Sequence, residues 1–242
     1  MKFDNTEVFN FEGALRGMRN PMESWDKSDS EYCRDLDCME CVNRAIRFSC
    51  PYHGNDFIIG RSDLQLAQSL IKAGSEHRKF MRQIFVSVDI TAPLYWWKEF
   101  DTYKVGTVAN STSTMHKLAS TPITKDCFEM DDFEEVIEGK DFAYSAEVYW
   151  RNTIKHLEEL RELYVRTKNI RLWKELIREL PDSWLQKRTV TFDYENLLAI
   201  CSKGQRRFHK LTEWSTAFID WARTLPYAQE LIFIDEKEEK NA

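Results

Sequence analysis

The stretch FMRQIFVSVDITAPLYWWKEFDTY, residues 80–103, carries the strongest structural signals of the chain. Residues 80–90 are rich in β-branched and aromatic side chains and are predicted to form a strand. The alternating apolar residues of this strand are Ile84, Val86, Val88 and Ile90. The Ala-Pro pair at 92–93 is expected to end the strand and to open a helix over 94–103. A second strand is predicted at 105–110, so the stretch indicates a strand, a helix and a strand in succession.

Similar patterns extend to both sides of this stretch. Toward the N-terminus, a strand at 6–11 leads into a helix at 12–19, and an amphipathic helix covers 63–74. Toward the C-terminus, we predict helices at 146–165, 170–180, 194–201 and 211–225 and a short strand at 188–192. Together they predict an α+β fold with a central mixed or antiparallel sheet, surrounding helices and a helix-rich C-terminal half.

The length and composition favour one globular domain. The chain has 242 residues, of which 43% are hydrophobic and 31% are charged, so it can bury a sizeable core. Because it has only 8 Gly and 6 Pro, long flexible linkers are not expected. We predict a single domain over 1–242 with a flexible charged tail at 235–242.

The charge and hydropathy patterns restrict the partners of the protein. Its 34 Lys and Arg residues against 40 Asp and Glu residues give a net charge of −6, so a nucleic-acid partner is not expected. No apolar run approaches the roughly 20 residues that a membrane helix needs. The first residues carry acids where a signal peptide would be basic and then apolar. We therefore expect a cytoplasmic protein without a membrane partner.

A cysteine cluster lies in a polar segment, 28–56, that lacks sustained periodicity. Cys38 and Cys41 form one close pair, and Cys50 and His53 form a second. Two such pairs suit tetrahedral zinc, because each contributes two ligands from one tight turn. A closed set of this kind predicts a structural metal, and the alternative is that these are reduced cysteines packed as small hydrophobes.

Two further segments offer groups for a polar ligand. Asn110 ends a predicted strand, and Ser111 and Ser113 follow it. These side chains suit phosphate or sugar contacts, although a solvated turn or a helix N-cap has the same composition. Arg206 and Arg207 lie in a basic run between two predicted helices, where they can meet a nucleotide phosphate or belong to a solvated loop.

Other signals are less specific. The aromatic residues of 94–103 suit stacking on a flavin or a base, but packing into the core is the commoner meaning of such a helix. His77 lies beside the predicted strand, where its imidazole either faces a cofactor or lies on the surface. The common dinucleotide, NTP, metalloprotease and serine-hydrolase motifs are absent from the sequence.

The order of these elements and several local strings resembles the flavin-dependent thymidylate synthases, the ThyX family, from about residue 6 to 222. The strings are Glu76-His77 followed by Phe80, Ala92-Pro93, Leu180-Pro181, Thr191 and Leu197-Leu198. Segment 28–56 looks like an insertion relative to that family. The resemblance implies a ThyX-like α/β core that assembles as a homotetramer, with sites at the subunit contacts.

The family's signature, which begins with Arg-His-Arg, aligns with 102–115. Only Lys104, Asn110 and Ser113 keep comparable chemistry there. Because the arginines and the histidine of this signature hold FAD in the family, the resemblance implies FAD contacts from Lys104 and Asn110. His77 is added to the expected cofactor contacts because of its place beside the predicted strand.

The end of the same signature helps to hold deoxyuridylate in the family. The resemblance implies a nucleotide contact from Ser113, but Met115 replaces the final arginine and cannot make its charged contact with a phosphate. Ser111 stands at the family's Glu position, and its expected nucleotide contact comes from the polar segment itself. Arg206 or Arg207 lies near a later arginine of the family and is expected to compensate in part.

Asp193 and Glu195 stand where the family has Asn and Arg. Carboxylates at these positions repel a phosphate. They also suit an altered specificity, in which they accept hydrogen bonds from an amino-bearing base or sugar.

The resemblance leaves two main hypotheses and keeps both enzyme and non-enzyme open. In the first, the chain binds FAD, a (deoxy)nucleotide or both, as in a family where flavin reduced by NADPH passes hydride during methylation of deoxyuridylate. In the second, it is a non-catalytic oligomeric interaction protein with a zinc-stabilised docking insertion. Visible absorbance of a flavin in the purified protein favours the first hypothesis. Bound metal without bound flavin favours the second.

Overall fold

The computed structural model describes residues 1–32, 57–103, 105–130, 136–138, 143–202, 204 and 211–234. Its strands are β1 Lys2–Phe9, β2 Glu31–Tyr32, β3 Phe57–Ile58, β4 Phe85–Pro93, β5 Val108–Ser111, β6 Val136–Glu138, β7 Ala143–Ser145 and β8 Leu185–Asp193. Its α-helices are Phe11–Arg19, Arg61–Ala73, Leu94–Phe100, Thr114–Lys117, Ala146–Thr167, Ile170–Arg178, Tyr194–Ile200, Ile219–Arg223 and Ala228–Leu231. Short 3₁₀ turns lie at Asn20–Met22, Trp25–Lys27, Lys79–Gln83 and Lys125–Cys127, and a π-helical turn covers Glu213–Phe218.

The main sheet has four strands in the order β1-β4-β8-β5. The four alternating residues predicted to be buried, Ile84, Val86, Val88 and Ile90, are all 0% exposed. Two small antiparallel ladders complete the sheets, β2 with β3 and β6 with β7. The combination of sheet and many helices confirms the predicted α+β class, and β8 is the one strand described between residue 146 and the end of the described chain.

The chain divides into two compact units. The first comprises residues 1–2, 90–102 and 110–189, and the second comprises 3–89, 103–109 and 190–242. Each of the strands β1, β4, β5 and β8 contributes residues to both units. The single domain over 1–242 stays a prediction.

Each unit has an aromatic core. In the first unit the buried cluster contains Leu118, Ile123, Phe128, Leu157, Trp173 and Leu176. In the second unit Phe11 meets Tyr194 and Tyr227 edge to face, with ring centroids 5.6 and 5.5 Å apart. The buried Tyr194 hydroxyl donates to the Pro226 carbonyl at 2.6 Å, which satisfies its polar group. Among the described helices, none combines the length and the apolar character that crossing a membrane requires.

Some predicted boundaries need correction. The strand predicted at 80–90 begins only at Phe85 and extends through Pro93, because Lys79–Gln83 forms a 3₁₀ turn. Phe80 and Met81 are consecutive and both buried, which a strand with one buried face does not allow.

Segments further along the chain also differ from their predicted bounds. The helix predicted over 94–103 ends at Phe100, and the following strand starts at Val108. The helix predicted over 211–225 is divided into a π-helical turn, Glu213–Phe218, and the helix Ile219–Arg223.

A buried polar cluster holds the start of the predicted insertion against the helix Arg61–Ala73. The Asp63 carboxylate is 0% exposed and accepts hydrogen bonds from Arg19, Ser28 and Ser30. The β2–β3 ladder pairs Tyr32 with Phe57. Residues 33–56, with the cysteine cluster, and the tail at 235–242 lie outside the described residues.

Candidate functional site

In the second unit, strand β8 ends in a carboxylate that begins the helix Tyr194–Ile200. The Asp193 side chain accepts a hydrogen bond from the Asn196 backbone N–H at 2.9 Å, and the Asn196 side chain accepts one from the Asp193 N–H at 3.1 Å. This reciprocal capping box satisfies two backbone donors that a helix start leaves without partners. Asp193 is 6% exposed, so the cap is part of the interior.

The segment before β5 packs directly onto this cap. The Asn196 side chain donates to the Val105 carbonyl at 2.6 Å. Gly106 has φ of +80°, and a Cβ there would lie 2.9 Å from Asp193 Oδ2. A side chain at this position would therefore strain the backbone and collide with the capping carboxylate.

An ion pair joins the same helix to the turn before β4. Arg78 Nε donates to both carboxylate oxygens of Glu195, at 3.0 Å each. The two side chains are 25% and 16% exposed. The Tyr194 N–H donates to the Ile84 carbonyl at 3.0 Å, which fixes the turn Lys79–Gln83 beside the helix start.

These charges act on one another. Burial raises the pKa of the Asp193 carboxyl, whereas the backbone N–H groups of Asn196 and Glu195 lower it. The Glu195 charge raises this pKa further, and the charge of Arg82 lowers it. Two carboxylates and two guanidinium groups thus lie close enough to interact at the start of one helix. Neither Arg78 nor Arg82 was predicted as a site residue, because each acquires its importance from partners more than 100 positions away in the chain.

His77 belongs to the same unit and lies in the turn after the helix Arg61–Ala73. Its backbone N–H donates to the Gly74 carbonyl at 3.0 Å, and its side chain is exposed. Within the described part of the chain its imidazole makes no hydrogen bond. It is thus available to a ligand.

In the first unit, the predicted polar segment lies at the end of the edge strand β5. The side chains of Asn110 and Ser111 are exposed. The next residue is held by the backbone, because the Thr112 N–H donates to the Lys187 carbonyl at 2.8 Å. Ser113 Oγ accepts a hydrogen bond from the His116 N–H at 3.3 Å, which is the helix N-cap that the sequence offered as the alternative.

The aromatic helix of the first unit is core, as the sequence favoured. Trp96, Trp97 and Phe100 are at most 2% exposed. The Trp97 indole N–H donates to the Gln186 carbonyl at 3.0 Å, and the Arg188 guanidinium lies 4.2 Å from the centre of a Trp97 ring. These rings are thus committed to packing within the protein.

The remaining predicted site residues lie outside the described residues. They are Lys104, Arg206 and Arg207, and the predicted zinc ligands Cys38, Cys41, Cys50 and His53. Within the part of the chain that the structure describes, no group of three His, Cys, Asp or Glu side chains is arranged to hold a metal ion.

Comparisons with known proteins bear on the fold. No protein-family model and no curated protein matches the sequence. Among solved structures, the flavin-dependent thymidylate synthase ThyX from Helicobacter pylori complexed with FAD and dUMP is similar, with a TM-score of 0.62 and 14% identity over 97% of this chain and 99% of that chain. A second structure of that enzyme with FAD and dUMP gives a TM-score of 0.60 and 14% identity, with 95% of each chain covered. The UMP/dUMP methylase PolB from Streptomyces cacaoi, bound with 5-Br dUMP, gives 0.50 and 13% over 97% and 96%. The chain therefore has a ThyX-like fold over nearly its whole length, as the resemblance predicted.

Proposed function

We propose that this protein binds a flavin, a (deoxy)nucleotide or both. The observation that carries the proposal is the likeness to ThyX along 97% of the chain, because the similar structures hold FAD with dUMP, or 5-Br dUMP. A bound flavin would supply redox chemistry, as flavins do in general. The contribution of the chain itself would be to bind and orient the ligands.

The described residues include candidate ligand contacts in each unit. Exposed His77 and Asn110 are proposed to contact the flavin, and Ser111 to contact the nucleotide. Ser113 is also proposed to contact the nucleotide, since its oxygen accepts the capping hydrogen bond while its O–H stays available to donate. Lys104, Arg206 and Arg207 complete the proposed set on the strength of the sequence alone.

The test begins with the visible spectrum of purified protein, before and after soaking with FAD and desalting. A yellow protein supports the proposal. Thermal unfolding with FAD, dUMP and UMP then measures binding, since ligand at 100 times its Kd raises the midpoint by about 5–10 °C in a chain of this size. A colourless protein whose midpoint is unchanged by all three ligands refutes the proposal.

Single variants locate the site. His77→Gln is expected to weaken FAD binding, with His156→Gln as the control, because His156 is also exposed and lies on the long helix Ala146–Thr167. Asn110→Ala is expected to do the same, with Asn152→Ala as its exposed control. Equal effects in a variant and its control would remove that residue from the proposed site.

A second candidate function is an interaction protein with a zinc-stabilised docking insertion. The observation that favours it is the β2–β3 ladder, which pairs Tyr32 with Phe57. Paired strand residues have Cα atoms about 5 Å apart, so the two described residues that flank the segment with both ligand pairs lie close together. Holding these ends together removes part of the entropy that zinc binding would otherwise cost. Elemental analysis is expected to find about one zinc per chain, and less than about half an equivalent in undepleted protein excludes the site.

A further inference from the structure

Arg78 is held by one edge of its guanidinium only. Nε donates to both oxygens of Glu195 at 3.0 Å. Among the described residues, Nη1 and Nη2 have no hydrogen-bond partner, and the side chain is 25% exposed. A guanidinium has five N–H donors in a fixed plane, so four remain for a ligand. The edge formed by Nη1 and Nη2 has the spacing that binds two oxygens of a carboxylate or phosphate.

The groups around Arg78 set the charge at this point. Arg82 is exposed on the same turn, and its charge reaches Asp193. Asp193 is buried and committed to the helix cap, whereas Glu195 is committed to Arg78. The positive charges are thus offset by an equal number of carboxylates. The guanidinium of Arg78 is held in a fixed orientation by Glu195, and the charge of Glu195 partly neutralises it.

We propose that the free edge of Arg78 binds an anionic phosphate oxygen of the ligand, and that Glu195 is a positioning residue that aims this guanidinium and limits its affinity for anions. The proposal deepens the function proposed above, because it assigns the phosphate contact to a residue outside the ThyX-like signature. It needs no other group than those described at this helix start.

Inorganic pyrophosphate is the probe that tests the contact without a flavin or a nucleoside. Calorimetric titration at low ionic strength compares Arg78→Gln and Glu195→Gln with the unaltered chain. Arg78→Gln is expected to weaken pyrophosphate binding at least tenfold, about the effect of losing one charge-assisted contact. Glu195→Gln is expected to strengthen it about fivefold, because a unit charge at contact distance in water has that effect.

The chain supplies a matched control for both changes. Arg178 and Glu175 form an ion pair at 3.0 Å on the solvent-facing side of the helix Ile170–Arg178, where the side chains are 58% and 44% exposed. Arg178→Gln and Glu175→Gln alter charge in the same way and are expected to leave pyrophosphate binding unchanged. Arg78→Lys keeps the positive charge and tests whether a loss of binding comes from misfolding. This variant is expected to retain part of the pyrophosphate binding and to unfold at the same midpoint as the unaltered chain.

Three results overturn the proposal: no saturable binding of pyrophosphate by Glu195→Gln, unchanged binding by Arg78→Gln, or equal effects in the control pair. The affinities of FAD and riboflavin, and of dUMP and deoxyuridine, are then compared to identify the source of the phosphate. Arg78→Gln should weaken the binding of only the phosphorylated member of a pair. If pyrophosphate behaves as expected but neither FAD nor dUMP binds, the proposed function fails and the anion contact stands. If FAD or dUMP binds equally well to Arg78→Gln, the function stands and the contact fails.

Discussion

We predict that replacing Asp63 by Asn lowers the free energy of unfolding by about 3–5 kcal/mol. The Asp63 carboxylate is completely buried and accepts three side-chain hydrogen bonds: from Arg19 Nε at 2.5 Å, Ser28 Oγ at 2.6 Å and Ser30 Oγ at 2.5 Å. Arg19 is itself only 4% exposed. The substitution removes the carboxylate to which this buried guanidinium donates and leaves it only the charge of Asp29 nearby, and the new amide turns donors toward groups that also donate.

The size of this loss of stability follows from the burial of the ion pair and not from its length. A second ion pair of this chain provides the comparison. Lys98 Nζ and Asp182 Oδ2 are also 2.5 Å apart, but their side chains are 66% and 55% exposed. Solvent screens such a pair, so Asp182→Asn is expected to cost at most about 1 kcal/mol. Two ion pairs of equal length should therefore differ at least threefold in their effect on stability.

Urea denaturation of the two variants at neutral pH, followed by tryptophan fluorescence and far-UV circular dichroism, measures the difference. A loss for Asp63→Asn within about 1 kcal/mol of the loss for Asp182→Asn would refute the reasoning. The double replacement Arg19→Met with Asp63→Leu adds a second check. It is expected to recover more than half of the lost stability, because removing both charges leaves no buried ion without a partner.

Three further outcomes are expected, each measured as a urea midpoint. Gly106→Ala should destabilise by about 1–2 kcal/mol through its positive φ and its contact with Asp193, whereas Gly204→Ala, with no atom nearer than 4.0 Å, should be nearly neutral. Burial raises the pKa of Asp193 above 3.8, so the contribution of its protonated form to folding stability is present below pH 3.8 and is lost as the pH rises through the raised pKa. Asp193→Asn should therefore gain stability relative to the unaltered chain as the pH rises. A loss of stability relative to the unaltered chain would contradict this. The Arg161 guanidinium holds the pKa of Glu158 below 4.5, so the contribution of the Glu158 carboxylate to folding stability is present above pH 4.5 and is lost as the pH falls through the lowered pKa. Glu158→Gln should therefore lower the free energy of unfolding by about 1–2 kcal/mol at neutral pH and by less in acid. A loss that does not change with pH would contradict this.

Local periodicity was sufficient to predict most of the fold. The alternation from Ile84 to Ile90 identified β4, because only one face of this strand is buried. The start of the strand was wrong because the composition of Phe80 and Met81 is β-like, while their consecutive burial is not. That adjacency of two large apolar residues was the one local signal that could have corrected it.

The charged residues of the site could be predicted only in part. Asp193 stands three residues before Asn196, and Asp is a preferred N-cap residue, so the sequence did contain the signal for the capping box. The pairing of Arg78 with Glu195 had no such signal, because 117 positions separate the two residues. A contact of that kind depends on how the turn and the helix pack, which no local pattern encodes.

The capping box also bears on the roles that the sequence left open for the two acids. An amino-bearing base that donated to Asp193 would have to reach a side chain that is only 6% exposed and displace the segment at Gly106, which covers Oδ2. Glu195 has both oxygens engaged by Arg78, so a base would compete there with a charge-assisted bond. Recognition of a base by either acid therefore works against contacts that hold the helix start in place. Adjusting the affinity of Arg78 for an anion requires no contact to break, and this is why we favour it as the role of Glu195.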